Sequence, residues 1–331
     1  MIALSDRFVC VADEVWRLQR GSEADCVFFQ RTVNNGERIT DRGTRQGVWV
    51  IAPGGVLLAH ANTRNTDKIV QVLEQGLAAW AQLPDESRHL AAGVDVSPDH
   101  RWEHSWPEGG LVLERIARDL PPTGLDGERS SRWNLDHMWV SRGELATLLP
   151  PEMSLGDQFE LPLLARRMAR FHLVDNAAGQ SLPYADDELT EASLRATVTA
   201  LHDGLATLSL AGTTRADADG KWRLAPGTWT PAQERPHGIE TRLAGDALWN
   251  THTSRFDDFE LVAVGTRWGR TDNNGRGRDS SPGAIGFLLR TAPDTPRIAP
   301  TFVSLYDVDW ITQPAVQVWV DSPQECGLDD S

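Results

Sequence analysis

Closely spaced cysteines are missing from this sequence. Its three, Cys10, Cys26 and Cys326, are odd in number and far apart. No CxxC pair exists for a dithiol redox centre or a zinc ribbon, and a disulfide framework is not expected. Basic residues are scarce as well: 32 Lys and Arg stand against 47 Asp and Glu, a formal net charge of −15. Without a Lys/Arg-rich run, such a chain repels phosphate backbones and anionic lipid surfaces, so neither nucleic acid nor a membrane is an expected partner. No apolar run approaches the roughly 18 residues of a membrane span. The first residues lack a basic stretch followed by a long apolar one. A soluble cytoplasmic location is therefore expected, or a secreted or periplasmic one if the natural start lies upstream. GxxxxGK[ST], GxGxxG and GxSxG are absent too, and no cofactor is expected.

Tryptophan is plentiful, with 13 residues and no fixed period, so no repeat array is read. Large aromatics bury much area each, which assigns most of them to cores; stacking on flat ligands such as sugars is the functional alternative. A 40% hydrophobic and 24% charged chain of 331 residues is globular and long enough for two domains, or one with a large elaboration.

Along the chain, residues 8–11 read as a short strand, 13–19 as a helical turn and 23–30 as a helix. Cys26 on that helix lies among Glu23, Asp25 and two phenylalanines, which points to a structural thiol. The firmest reading is a hairpin and helix over residues 46–83. Its strands cover 47–51 and 56–60, and its turn 52–55 has Pro53 and Gly54 at the central positions. Asn65 or Thr66 caps the helix, Asp67 suits its dipole, and Ile69, Leu73, Leu77 and Trp80 form one face. Residues 91–175 read as a Pro-rich connector with short helices at 142–149 and 161–173 and a candidate strand at 111–118. From residue 194 the pattern is β: a hairpin about Asp203-Gly204, then strands at 238–250, 255–265 and 284–291. About five antiparallel strands result, with long polar loops at 213–237 and 266–282.

The order strand, helix, strand, strand, helix over residues 8–83 resembles part of a thioredoxin-like domain. Residues 2–9 and 45–58 are similar to the helix after its active site and to its closing hairpin. The runs Arg170-Phe-His-Leu-Val-Asp-Asn176 and Phe259 to Gly269 resemble a group of bacterial proteins that carry such a module. The resemblance implies a module that lacks its first strand and redox motif: either that strand is dispensable, or the natural start lies upstream of residue 1. Arg45-Gln46 stands where the threonine–cis-proline pair is expected, so dithiol chemistry is carried over to no residue. The fold class is thus α+β: residues 1–90 a partial thioredoxin-like module, 91–175 the connector, 176–300 an antiparallel β domain, and 301–331 a C-terminal extension.

Candidate chemistry is scattered. His100, Glu103 and His104 match H-x-x-E-H, a zinc pattern that requires a helix, yet Pro98 and Pro107 leave at most two turns. A polar loop is the expected outcome. Asp136 and His137 are neighbours on opposite faces of a strand, each free to meet His172 or Asp175 in space. His172 and Asp175, three apart, share a face if their helix continues, and an Asp-oriented His is a general base. A buried structural network is the alternative. Arg267, Arg270, Arg276 and Arg278 gather near glycines and suit a carboxylate or phosphate, or else pair with Asp257, Asp258 and Asp279. No complete catalytic constellation emerges. The leading expectation is a binding or interaction protein, with a small anionic ligand or another protein as partner. The alternatives are an enzyme with its His172/Asp175 site at the domain seam, or a thiol-redox protein whose CxxC lies upstream.

Overall fold

Pro53 and Gly55 reverse the chain between two short strands, β1 (Val48–Ile51) and β2 (Leu57–Ala61), which pair antiparallel with Trp49 opposite His60. The left-handed φ falls on Gly55 (+81°) and not on Gly54. The loop is therefore the three-residue kind that ends in a left-handed glycine, one residue longer than the turn read from the sequence. The computed structural model describes residues 2–13, 15–41, 43–90, 105–120, 132–220, 235–271, 273–277, 279–293 and 297–311. Residues 2–90 belong to one compact unit and residues 105–311 to a second. Among the described residues, no helix is long and apolar enough to cross a membrane.

In the first unit, helices α1 (Ile2–Ser5), α2 (Val15–Arg20) and α3 (Ala24–Val33) precede the hairpin, and α4 (Thr66–Gln82) follows it. Asn65 caps α4 by accepting from the Lys68 N–H at 3.0 Å. The helix lays its stripe on the hairpin with Val72 and Gly76 buried at its centre, a slight rotation from the face read at Leu73 and Leu77. Trp49 stacks on His60 with ring centroids 3.5 Å apart and meets Phe29 edge-on. Cys26 is buried on α3. The strand expected at residues 8–11 does not form: Val9 is 94% exposed, and the described sheet of this unit holds β1 and β2 alone. Four residues of alternating pattern, with no neighbouring strand to take up their N–H and C=O groups, give no ladder.

The second unit is an eight-stranded antiparallel sheet. Its strands are β3 (Leu111–Asp119), β4 (Trp133–Val140), β5 (Gln158–Glu160), β6 (Leu189–His202), β7 (Leu205–Ala218), β8 (His237–Asn250), β9 (Arg255–Gly269) and β10 (Gly283–Thr291). Their spatial order is β4-β3-β10-β9-β8-β7-β6-β5. Asp203 and Gly204 both take positive φ (+46° and +78°), the turn that joins β6 to β7 without splaying them. The supposed connector is part of this sheet: β3 and β4 form one end and β5 the other. The candidate strand read at 111–118 is β3, whereas β4 and β5 are not among the strands read from the sequence; none of the three contains a proline. The sheet's inner face carries Leu113, Met138, Leu208, Phe259, Phe287 and their neighbours. Helix α6 (Pro162–Arg167) covers part of it with Leu164, then widens into a π turn over Met168–His172. The short α5 (Arg142–Leu145) follows β4, capped reciprocally by Ser141 and Glu144.

Gly76 is a position where helix propensity and packing oppose each other. Alanine there adds about 1 kcal/mol of helix propensity. Its Cβ, however, stands 2.5 Å from Val50 Cγ1, and such overlap costs about 1–3 kcal/mol. Gly76→Ala is expected to lower stability in urea unfolding by about 1 kcal/mol, and a Val50→Ala background should reverse the sign.

Candidate functional site

Alternation along β3 carries charge into the core. Leu111, Leu113, Arg115, Ala117 and Asp119 share the inner face, so the apolar register of the strand places a guanidinium and a carboxylate inside. Both are buried, Arg115 completely. Each begins a separate polar network.

The first network surrounds Arg276, which lies after β9 and is fully buried. Its Nη1 and Nη2 donate to the two carboxylate oxygens of Asp119 at 2.8 and 2.6 Å. Its Nε and Nη2 donate to Asp175 at 2.9 and 2.6 Å. Burial alone would lower the affinity of the guanidinium for its proton; the hydrogen bonds to Asp119 and Asp175 outweigh this and raise it. Asn274 Nδ2 adds a third contact to Asp175 at 3.3 Å. Arg267 is held in the same way, with Asp279 Oδ2 at 2.8 Å and the carbonyls of Asp279 and Ser281 at 2.8 and 2.7 Å. The loop expected to present four cations to an anion therefore has Arg267 and Arg276 turned inward onto the protein's own carboxylates. Arg270 is half-buried and donates weakly to the Gly277 carbonyl at 3.4 Å. Arg278 lies outside the described residues, as do His100, Glu103 and His104.

The second network begins at Arg115. It donates to Asp136 Oδ2 at 3.3 Å and to Asn134 and Asn176 at 3.2 and 2.9 Å. Burial depresses its pKa, and Asp136 opposes that shift. Asp136 Oδ1 also accepts the backbone N–H of His137 at 2.8 Å and of Thr301 at 3.0 Å. His172 Nδ1 stands 4.0 Å from Asp136 Oδ2, and its Nε2 is 2.6 Å from the Tyr306 hydroxyl. Burial drives the His172 pKa down to about 3, against a modest upward pull from Asp136, so its imidazole is neutral near pH 7. The structure thus brings His172 to Asp136, while Asp175 goes to Arg276. The helix ends at His172, and Leu173 turns the chain (φ −95°, ψ 58°), so the two do not share a helical face. His137 points to the opposite face of β4, and burial lowers its pKa.

Tyr306 and Tyr184 are the only tyrosines in the chain. Both are buried, and burial raises both pKa values. Neither they, Arg115 nor Asp119 was singled out from the sequence. The usable signals were the odd-number parity of β3 and the rarity of tyrosine.

Behind Tyr306 the networks reach an open cleft. Arg167 lies over the Tyr306 ring at 4.7 Å, donates to the Trp139 carbonyl at 2.9 Å, and grips Glu144 with two nitrogens. Burial pushes the Glu144 pKa up, but Arg167 and Ser141 together hold it below the usual range. Glu144, Ser141, Arg142, Glu108, Trp106 and Trp310 line a cleft of about 570 Å³. Trp106 meets Trp139 edge-on at 5.4 Å, and its ring is covered by Arg297, which also pairs with Glu108. The Trp310 indole N–H is buried without an acceptor among the described residues. Arg142 is exposed and makes no ion pair among the described residues. No metal-holding group of three or more His, Cys, Asp or Glu exists among them.

Two measurements test these networks. Arg276→Met leaves two carboxylates buried without their cation and is expected to destabilise the second unit by about 3–5 kcal/mol, read from chemical unfolding. His172 binds its proton more weakly folded than unfolded, so stability should fall as pH drops from about 6.5 towards about 3. A His172→Asn variant should show a shallower loss of melting temperature across that window.

Among known proteins, the chain matches no protein-family model, no curated protein and no solved structure, so its function is read from these side chains.

Proposed function

We propose that the protein is a non-catalytic binding protein whose ligand site is the cleft between Trp106, Trp310 and Arg142. The carrying observation is the Arg142 guanidinium, without an ion pair among the described residues, beside two tryptophans in one cleft of about 570 Å³. That volume falls within the roughly 300–1,000 Å³ of ligand pockets, and the mixture of apolar wall and few polar groups is their usual lining. Indole rings take a flat apolar face, and a guanidinium takes a carboxylate in a forked pair. The ligand is accordingly a small molecule with one flat face and one carboxylate. Glu144 is not available to it, because Arg167 and Ser141 hold both its oxygens.

An enzymatic role for His172 and Asp175 has less support. His172 is 1% exposed and Asp175 4%, and the second is already bound to Arg276. In the first unit, the β1–β2 hairpin followed by α4 supports the reading of a non-redox thioredoxin-like scaffold, and the buried Cys26 has no CxxC partner.

Calorimetric titration against aromatic carboxylates and uronic acids tests the cleft. For the ligand that binds, Arg142→Ala should weaken affinity by roughly tenfold or more, the loss of a charged hydrogen-bonded contact. Its melting temperature without ligand should match the wild type, since Arg142 is exposed and makes no ion pair among the described residues. Trp310→Ala should also weaken binding. No binder in either class, or binding indifferent to both substitutions, overturns the proposal.

A further inference from the structure

The outer face of the eight-stranded sheet carries an apolar stripe that runs across the strands. Cross-strand register places Leu135, Ile116, Leu288, Val262, Ala244 and Ala211 side by side on β4, β3, β10, β9, β8 and β7. Val264 and Trp133 extend it on one flank. Leu135 and Val262 are each 43% exposed, Val264 47% and Trp133 61%. Single exposed apolar residues are ordinary on a protein surface, but a contiguous row across six strands marks an interaction surface.

The charges beside the stripe are unbalanced in a particular way. On one flank Asp246 of β8 lies opposite Glu260 of β9, two carboxylates in adjacent register; Glu260 also faces Arg290 of β10, whose guanidinium is given to Glu114, so three carboxylates share one cation. Neither has an ion-pair partner among the described residues. On the other flank of the same strand stands Arg242, exposed and likewise without a carboxylate among them. Like charges set directly across a strand pair are destabilising, so the fold does not gain from this arrangement.

We infer that this face is the interface of a two-fold homodimer, packed sheet on sheet. An axis lying along the stripe, between the two sheets, turns each copy's basic flank onto the other's acidic flank. Arg242 then stands over Asp246 and Glu260 of the second copy, and the reciprocal contact forms by symmetry. At β3 the same operation sets Arg118 over Glu114, which in one copy is paired with Arg290. An axis along the strands would instead lay Arg242 on the second copy's own Arg242 flank, so charge selects the first. The apolar stripes meet at the centre, as inner faces do in a sandwich. A net charge of −15 per chain opposes association, and the local Arg–carboxylate exchange offsets it at the contact.

Sedimentation velocity of the full chain over a dilution series tests the inference. The wild type should show a reversible dimer. Arg242→Asp should raise its dissociation constant roughly tenfold or more, and Val262→Lys should leave a monomer. Both sites are exposed, and unchanged circular dichroism and melting checks that the fold survives. The exchange variant Arg242→Asp with Asp246→Arg restores complementarity across the axis and should recover dimerisation. A wild type that stays monomeric at every concentration overturns the inference. So does a dimer that ignores both Arg242→Asp and Val262→Lys, since its contact would lie elsewhere.

Discussion

Removing a guanidinium from water costs several kcal/mol, and Arg276 is fully buried. That cost is met only because two carboxylates, Asp119 and Asp175, receive it in near-bidentate geometry. The three residues come from segments separated by 157 and 101 positions. Their meeting fixes the end of β3, the exit from the π turn and the loop after β9 relative to one another. Arg115 does the same two inner-face positions earlier on β3, drawing in Asp136 of β4 and Asn176 after the π turn. The inner face is therefore apolar at one end, where Leu111 and Leu113 meet Val140 and Met138, and ionic at the other. A half-satisfied version of this arrangement would be worse than an all-apolar core, so the network must form as a whole.

This constraint also directs where chemistry can take place. Charges locked in pairs are structural, however suggestive their identities. His172 illustrates the point: a short contact to Tyr306 and a carboxylate 4.0 Å away suit a general base, yet the ring is sealed and burial lowers its pKa too far for it to accept a proton readily near pH 7. By the same reasoning, functional weight goes to surface groups that have no ion pair among the described residues. Arg142 in the cleft and Arg242 with Asp246 and Glu260 on the outer face are such groups, and the two proposals call on different residues.

Local signals in the sequence were readable where a local cause dominates. Asp203-Gly204 specifies its own turn, Asn65 its own cap, and proline at residue 53 its own loop. The α+β class and the antiparallel sheet followed from strand periodicity. What escaped was non-local. Strand β3 joins the sheet only through β10, about 170 residues away in sequence, and β4 joins only through β3. Asp119 looks like an ordinary surface acid, and Asp175 like a partner for His172, until Arg276 arrives. Tyr306 reaches His172 across 134 positions, and no periodicity announces it. Strand parity gave a partial warning at Arg115 and Asp119: a charge in an apolar register has to find a partner or refuse the strand.

Residues 297–311 join the buried network to the cleft. Thr301 donates its backbone N–H to Asp136, and Tyr306 closes over His172, so the segment caps the edge strand β4. The same segment sends Arg297 over Trp106 and Trp310 into the cleft wall. Its apolar side chains, Val303, Tyr306 and Ile311, pack with Trp139 and Phe171 in a cluster apart from the main core. Edge protection and the cleft thus depend on one stretch of chain with little regular structure of its own. If the cleft takes the proposed ligand, binding requires this segment to be docked, and by mass action the ligand would stabilise that docking. Contacts at Trp310 would then be coupled to the burial of His172 and Asp136, which do not line the cleft. The buried network sets the fold, and residues 297–311, its outermost member, would let the surface site act back upon it.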